Sequence, residues 1–111
     1  MEAAALHIQI VNFNLKGMSD AEFTKLCDAQ FAGRFASLPG LISKVWLRSP
    51  ETNTYGGVYT WRDRQAMEAF QKSDLFQIVA TNPNFANITS RDFGVMEVPT
   101  RVTNGLAGAR T

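Results

Sequence analysis

Two side chains on one predicted strand, Lys44 and Trp46, offer the clearest chemistry in the sequence. The indole of Trp46 gives an aromatic substrate a flat surface and donates one N–H to a developing oxyanion or peroxide. An ammonium at Lys44 stabilises a phenolate and so lowers the pKa of a phenolic substrate. The alternatives are a packed core tryptophan and a lysine that pairs with Glu51, Asp92 or Glu97 across the sheet or a dimer.

Two phenols and a glycine on the next predicted strand supply a second group of candidates. Tyr55 and Tyr59 share one face, and Gly57 stands between them where a side chain would otherwise fill the space. Space beside phenols suits a substrate pocket, although a glycine in a strand equally marks a bulge or a close backbone approach. Arg48, two residues after Trp46, is expected near the rim of such a pocket.

Three more residues carry possible chemistry. His7 is a candidate general base, because a neutral imidazole removes a phenolic proton near neutral pH; the alternative is a hydrogen-bonded structural histidine. Asn12 is placed to hydrogen-bond a substrate carbonyl. Cys27 falls on an apolar helix stripe and is interpreted as a small core residue, since no partner base is evident.

The composition limits the classes of function. Eleven Lys and Arg against ten Asp and Glu give a formal net charge of +1, whereas a nucleic-acid-binding domain needs a basic excess on one face. One cysteine and one histidine are too few for a structural metal site. We therefore expect neither a metal nor a nucleic-acid partner.

Nucleotide cofactors and membranes are also not expected. Gly56 and Gly57 do not belong to a Gly-x-Gly-x-x-Gly fingerprint, and the phosphate-binding loop with its Lys and Ser or Thr is missing. No apolar run approaches the roughly 20 residues of a membrane span, and the N-terminus lacks the features of a signal peptide. These observations predict a cytoplasmic protein and give no support to a site for NAD, FAD or ATP.

Alternating and helical patterns predict the elements that position these candidates. Ser19 and Glu22 have the spacing of a capping box, which predicts a helix start. The stripe that follows includes Phe23 and Phe31, two candidates for substrate contact, and a second helical stretch breaks near Ser73. The predicted strands cover residues 6–13, 41–48, 54–61 and 88–98, and the predicted helices lie within residues 20–38 and 64–79.

The order β-α-β-β-α-β is that of the α+β ferredoxin-like fold, a four-stranded antiparallel sheet with both helices on one face. We expect one domain over residues 1–98 and a C-terminal tail, 99–111, that docks on a partner subunit or frays. Strands 41–48 and 54–61 are apolar on both faces, which an open sheet does not explain. A second copy packed on the open face would explain it, giving a homodimer.

Residues 39–61, which read P-G-L-I-S-K-V-W-L-R-S-P-E-T-N-T-Y-G-G-V-Y-T-W, resemble the signature of the YdhR-type monooxygenase family. The K-V-W and G-G-x-Y pieces carry the likeness, and the F-x-V-x-E run at residues 93–97 extends it. That family is similar to the antibiotic-biosynthesis monooxygenases, dimeric α+β barrels in which several members oxidise phenolic or hydroquinone-like polycycles with oxygen and no cofactor. The resemblance is centred on Trp46 and favours its functional interpretation.

The resemblance implies a homodimeric monooxygenase or oxidase that acts on a small electron-rich aromatic, such as a phenol, hydroquinone or anthrone, with molecular oxygen as co-substrate. Trp46, Lys44, Tyr59 and His7 would then be catalytic. Two alternatives remain: a dimeric protein that binds a small apolar ligand, or a stress-related protein, without chemistry; and a cofactor-free isomerase or dehalogenase on the same fold.

Overall fold

A computed structural model describes residues 5–106 of the chain. Within these residues, four strands and five short α-helices follow one another along the chain. They are β1 (His7–Leu15), α1 (Asp20–Leu26), α2 (Ala32–Ala36), β2 (Leu41–Ser49), β3 (Thr54–Trp61), α3 (Arg64–Gln71), α4 (Asp74–Thr81), β4 (Phe85–Gly94) and α5 (Glu97–Val102). The strands form one antiparallel sheet in the order β2-β3-β1-β4. This is the predicted ferredoxin-like α+β fold.

The helices begin where side-chain caps satisfy free backbone donors. Ser19 accepts a hydrogen bond from the Glu22 N–H, and the Glu22 carboxylate accepts one from the Ser19 N–H, as the capping-box spacing predicts. Asp63 caps α3, and Ser73 caps α4 after the predicted break in the second helical stretch. These caps set the residues at which α1, α3 and α4 begin, and the cap at Ser73 separates α4 from α3.

One wide turn joins α1 to α2. Residues Cys27–Phe31 form a π-helical turn, in which the Ala32 N–H donates to the Cys27 carbonyl five residues earlier. Four buried side chains recur at intervals of four residues, and an unbroken α-helix would rotate such a series away from one face. The extra residue in the π-turn corrects that rotation, so the whole series faces the sheet: Phe23, Cys27, Phe31 and Phe35.

In the first half of β1, the core-facing side is the more polar one. His7, Gln9 and Val11 are buried beneath the helices, whereas Ile8 and Ile10 point to the open face. Gln9 is fully buried because both ends of its amide are bonded: it accepts from the Trp61 indole N–H at 3.0 Å and donates to Ser90 Oγ at 3.0 Å.

No helix covers the other side of the sheet in the described part of the chain. Strand alternation places Ile8, Ile10, Val45, Val58 and Phe93 there. The side chain of Val45 is 58% exposed and that of Phe93 is 49% exposed. We call this surface the open face.

The C-terminal part differs from the prediction. The last strand was expected over residues 88–98, but β4 starts at Phe85 and ends at Gly94, and Glu97–Val102 form α5. Glu97 and Arg101, four residues apart on this helix, approach to 3.9 Å. Residues 107–111 of the predicted tail lie outside the described residues. Among those described, no helix is long and apolar enough to span a membrane.

Candidate functional site

The strand register brings three of the candidate residues together beneath the helices. Lys44 on β2 lies opposite Tyr59 on β3, and Trp46 lies opposite Gly57. The indole of Trp46 meets the ring of the buried Phe35 edge-on, with the ring centroids 5.4 Å apart. Lys44, Trp46 and Tyr59 therefore face the helical layer, and β2 holds the first two at the edge of the sheet.

The ammonium of Lys44 lies among three aromatic rings. Its Nζ is 3.4 Å from the ring centroid of Trp46, 3.5 Å from that of Phe35 and 4.6 Å from that of Tyr59. We call these three rings the aromatic cage. Each distance is within the range of a cation–π interaction, which contributes about 0.5–2 kcal/mol.

Gly57 makes room for the lysine. A Cβ at this position would lie 2.6 Å from Cε of Lys44 and 3.3 Å from the Val45 carbonyl oxygen. The space between the two tyrosines is thus filled by the aliphatic part of Lys44, which crosses β3 over the glycine. Because Gly57 has no side chain, a lysine on the edge strand can reach the aromatic cage.

Burial changes the protonation of the groups around the cage. No Asp or Glu carboxylate of residues 5–106 lies within ion-pair distance of Lys44: Asp92 contacts His7, and Glu97 contacts Arg101. Burial therefore lowers the pKa of Lys44 to about 7. Burial also raises the pKa of the Tyr59 phenol, which stays protonated at neutral pH.

Cavities lie on both sides of Trp46. A pocket of about 320 Å³ is bounded by Trp46, Arg48, Tyr55 and Cys27, and a groove of about 250 Å³ runs past Lys44 on the other side of the indole. A third, small cavity of about 20 Å³ lies deeper, between the cage and the phenylalanines of the helical layer. Trp46, 36% exposed, borders all three.

A charged network closes one end of the larger pocket. Arg48 donates two hydrogen bonds to Asp20, at 2.9 and 2.5 Å, and the Tyr55 hydroxyl donates a third at 2.8 Å. The bonds from Arg48 and then Tyr55 lower the pKa of the Asp20 carboxyl. Burial and the bond to Asp20 raise the pKa of Tyr55. Arg48 is thus at the pocket rim, with Tyr55 behind it.

The remaining candidates divide between the pockets and other places. Phe23 and Phe31 line the small deep cavity, and Phe23 also reaches the larger pocket. His7 instead forms a hydrogen bond with Asp92, with 2.6 Å between His7 Nε2 and Asp92 Oδ2. From the strand spacing and register, its Cα is about 12 Å from that of Lys44.

Asn12 also lies away from the pockets. It is on the side of β1 opposite the core residues Val11 and Phe13, and its Nδ2 donates to the Tyr55 carbonyl at 3.4 Å. His7 and Asn12 border none of the three cavities described above.

Three residues that border or support the site were not predicted to belong to it. Phe35 extends the four-residue series that begins at Phe23, so its position on the stripe was a usable signal. Cys27 belongs to the same series, and burial raises its pKa to about 11 while the charge of Lys44 acts in the opposite direction. Asp20 has no sequence signal for its role, because its partner Arg48 is 28 residues away.

Within residues 5–106, no group of three or more His, Cys, Asp or Glu side chains is arranged to hold a metal ion.

Comparison of the sequence with protein families gives one match that spans most of the chain. Residues 8–106 match the family described as "Putative mono-oxygenase ydhR". No curated protein sequence matches the chain.

Several solved structures share the fold. SnoaB, a cofactor-independent oxygenase from Streptomyces nogalater, is 23% identical with a TM-score of 0.66, over 86% of this chain and 97% of that one. A protein described as a "putative antibiotic biosynthesis monooxygenase", from Caulobacter crescentus CB15, is 19% identical with a TM-score of 0.66, over 85% and 92%. NE2512 from Nitrosomonas europaea, of unknown function, is 11% identical with a TM-score of 0.68, over 87% and 95%.

Proposed function

The chain belongs to the ydhR mono-oxygenase family, and we propose that it is a cofactor-independent monooxygenase or oxidase of a small electron-rich aromatic compound, with molecular oxygen as co-substrate. The observation that carries the proposal is the Lys44 amine, held among aromatic rings beside the groove of about 250 Å³ without a carboxylate partner in residues 5–106. A shared fold with SnoaB, named as a cofactor-independent oxygenase, supports the absence of a cofactor.

Lys44 acts as the proton acceptor in this proposal. With a pKa of about 7, a large fraction of the amine is neutral at neutral pH and can accept a proton from a phenol or an enolisable methylene. The ammonium that forms then lies beside the new anion and stabilises it. One side chain thus removes the proton and compensates the charge.

Trp46 and Tyr59 position the substrate and its anion. The exposed part of the indole offers a stacking surface between the two cavities, and its N–H is a donor. Because Tyr59 stays protonated, its hydroxyl donates to an oxygen that gains negative charge. Arg48 and Tyr55 contribute the polar rim of the larger pocket, and Phe23 and Phe31 the apolar floor.

The electrons come from the substrate. The carbanion of an anthrone-like methylene passes one electron to oxygen, and the two radicals couple to form a C–O bond. The peroxide takes the proton back from Lys44 and loses water, so that the methylene becomes a carbonyl. One atom of O₂ remains in the product, and the other leaves as water.

Oxygen uptake tests the proposal. Chelator-treated protein is given hydroquinones, anthrones and flavonoid-like phenols, and oxygen consumption is compared among wild type, Lys44→Met and Trp46→Phe. Loss of general-base catalysis typically costs a factor of about 10²–10⁴, so we expect Lys44→Met to lose nearly all uptake. Lys72→Met, the same substitution at an exposed lysine that borders none of the three cavities, is the matched control and should retain it. Uptake that is equal in Lys44→Met and wild type would contradict the role of Lys44.

We also propose that the open face binds a second copy of the chain. It carries Val45 and Phe93, each about half exposed, and the region next to it adds Met96, Val98 and Val102, which are 75%, 73% and 77% exposed. Patches of this kind mark an interface in soluble proteins. Because α5 contains the first residues of the C-terminal segment that starts at residue 99, that segment is also part of the proposed contact.

A further inference from the structure

We propose that Lys44 is a carbonyl-capturing amine, whose Nζ condenses with an aromatic aldehyde or ketone to form an imine. This goes beyond the proposed oxidation, because it needs no oxygen and makes a covalent bond between protein and ligand. It rests on three features of the lysine: the groove beside it, the lack of an ion-pair partner in the described chain, and the rings around it.

A ligand can reach the amine. Lys44 borders the groove of about 250 Å³, whose other walls come from the aliphatic side chains of Ala32, Ala36, Leu41 and Ile42 and from Ser43. Trp46 and Phe35 also border it, so an aryl group can lie against a ring while its carbonyl carbon approaches Nζ. The groove therefore favours aromatic over small aliphatic carbonyl compounds.

The amine is also able to react. Condensation needs the nitrogen lone pair, which an ammonium lacks, and desolvation in an apolar site is a general way to free it. No carboxylate of residues 5–106 holds a proton on Lys44. The nearby Cys27 does not hold one either, because its raised pKa of about 11 keeps it an uncharged thiol at neutral pH.

The aromatic cage suits the product as well as the reactant. The lone pair of Nζ attacks the carbonyl carbon, the C=O π electrons move to oxygen, and that oxygen takes the proton released by the amine. The carbinolamine hydroxyl then leaves as water and the imine forms, with no change in oxidation state. A protonated imine keeps a positive charge near Phe35, Trp46 and Tyr59, whose cation–π interactions stabilise it.

The other lysines provide controls within the same chain. Lys16, Lys25 and Lys72 are all exposed to water. They border none of the three cavities, whereas Lys44 borders the groove and burial lowers its pKa to about 7, so that much of its amine has a free lone pair at pH 7. Labelling under mild conditions should therefore distinguish Lys44 from these three.

The experiment is reductive trapping without oxygen. The protein is incubated at pH 7 with 2-hydroxy-1-naphthaldehyde and cyanoborohydride, which reduces the imine to a stable amine, and the labelled site is located by peptide mass spectrometry. Among the lysines, we expect the adduct at Lys44 to form about tenfold or more faster than at Lys16, Lys25 or Lys72. Butanal, which lacks a ring, should show a weaker preference for Lys44.

Two controls separate reactivity from folding. Lys44→Arg should lose the fast adduct, and wild type unfolded in urea should label its four lysines at similar rates. Equal labelling of all lysines in the folded protein, or no label at Lys44, would overturn the proposal. An equal preference of butanal for Lys44 would overturn its aromatic specificity. Because oxygen is absent, a failure here leaves the oxidation proposal to its own test.

Discussion

Most buried lysines are stabilised by an ion pair with a carboxylate, whereas the ammonium of Lys44 is stabilised by aromatic rings. The cation–π interactions offset only part of the cost of removing the ammonium from water, and the remaining cost appears as the pKa of about 7. A position that destabilises the charged form, in a cleft, is typical of a group that acts on a ligand.

The first residue-scale prediction concerns pH and stability. Between pH 7 and 10.5, the unfolded chain holds a proton on Lys44 that the folded chain has lost, so the free energy of unfolding should rise with pH. Below pH 7 both states are protonated and this dependence ends. Urea denaturation at pH 7.0 and 8.5, below the ordinary pKa of Cys27, should show a rise in wild type that is absent in Lys44→Met. Equal slopes in the two proteins would contradict the lowered pKa.

The second prediction about a single residue concerns Gly57. Because an added Cβ would lie 2.6 Å from Cε of Lys44, Gly57→Ala should destabilise the fold by about 1–3 kcal/mol, and by less in a Lys44→Ala background. Gly33→Ala, where a Cβ would meet nothing within 4 Å, is the matched control and should be neutral or stabilising. A penalty for Gly57→Ala that is unchanged without the Lys44 side chain would show that the lysine does not need this space.

Part of the site can be predicted at this scale. The alternation of a strand puts Lys44 and Trp46 on one face, and Tyr59 and Gly57 on one face of the next strand, so their meeting follows once the hairpin register is correct. The position of His7 depends on Asp92, 85 residues away, and no local pattern indicates that pair.

At the scale of elements, the helix that covers the site is the least predictable part. Apolar residues at intervals of four are typical of an α-helix, and the pattern does not reveal that Cys27–Phe31 form a wider turn. The helix start, in contrast, has an explicit local signal in Ser19 and Glu22.

The buried face of β1 is also hard to predict from the sequence. In the first half of β1, the more apolar side, with Ile8 and Ile10, lies on the open face, and the core side includes His7 and Gln9. Strand patterns assign faces by polarity, but the bond from Trp61 satisfies the Gln9 amide, and contact with a second copy would cover the isoleucines.

The element-scale prediction tests the start of α1. Ser19→Ala removes the side-chain cap and should lower the free energy of unfolding by about 1 kcal/mol, measured by urea denaturation. Ser37→Ala, at the exposed end of α2, is the control and should change it less. A loss at Ser37 as large as at Ser19 would contradict a specific effect of the cap.

For the whole molecule, the fold class and element order follow from the sequence because each strand and helix has its own pattern, and few topologies join them in this order. The start of α5 at Glu97 was not predicted, because residues 93–98 alternate like a strand. The open face is the surface through which we propose that the chain assembles with a second copy.

The whole-molecule prediction concerns that assembly. We expect wild type to be a dimer by light scattering at concentrations near 100 μM, and Val45→Glu to shift it towards the monomer by placing a charge in the open face. Ile78→Glu, at an apolar residue 40% exposed on the helical layer, is the control and should leave the dimer intact. A monomeric wild type, or dissociation by Ile78→Glu alone, would contradict the proposed interface.

The dependence of turnover on oxygen tests the central claim most directly. A hydroquinone from the uptake panel that binds and carries no carbonyl group is mixed with the protein in an anaerobic cuvette, its absorption spectrum is followed, and oxygen is then admitted. We predict only ionisation of the ligand without oxygen, followed by oxidation once oxygen enters, with both changes weakened in Lys44→Met. Conversion without oxygen would instead indicate an isomerase or dehalogenase, and a bound ligand that stays unchanged in oxygen would indicate a binding protein; either result would contradict the account.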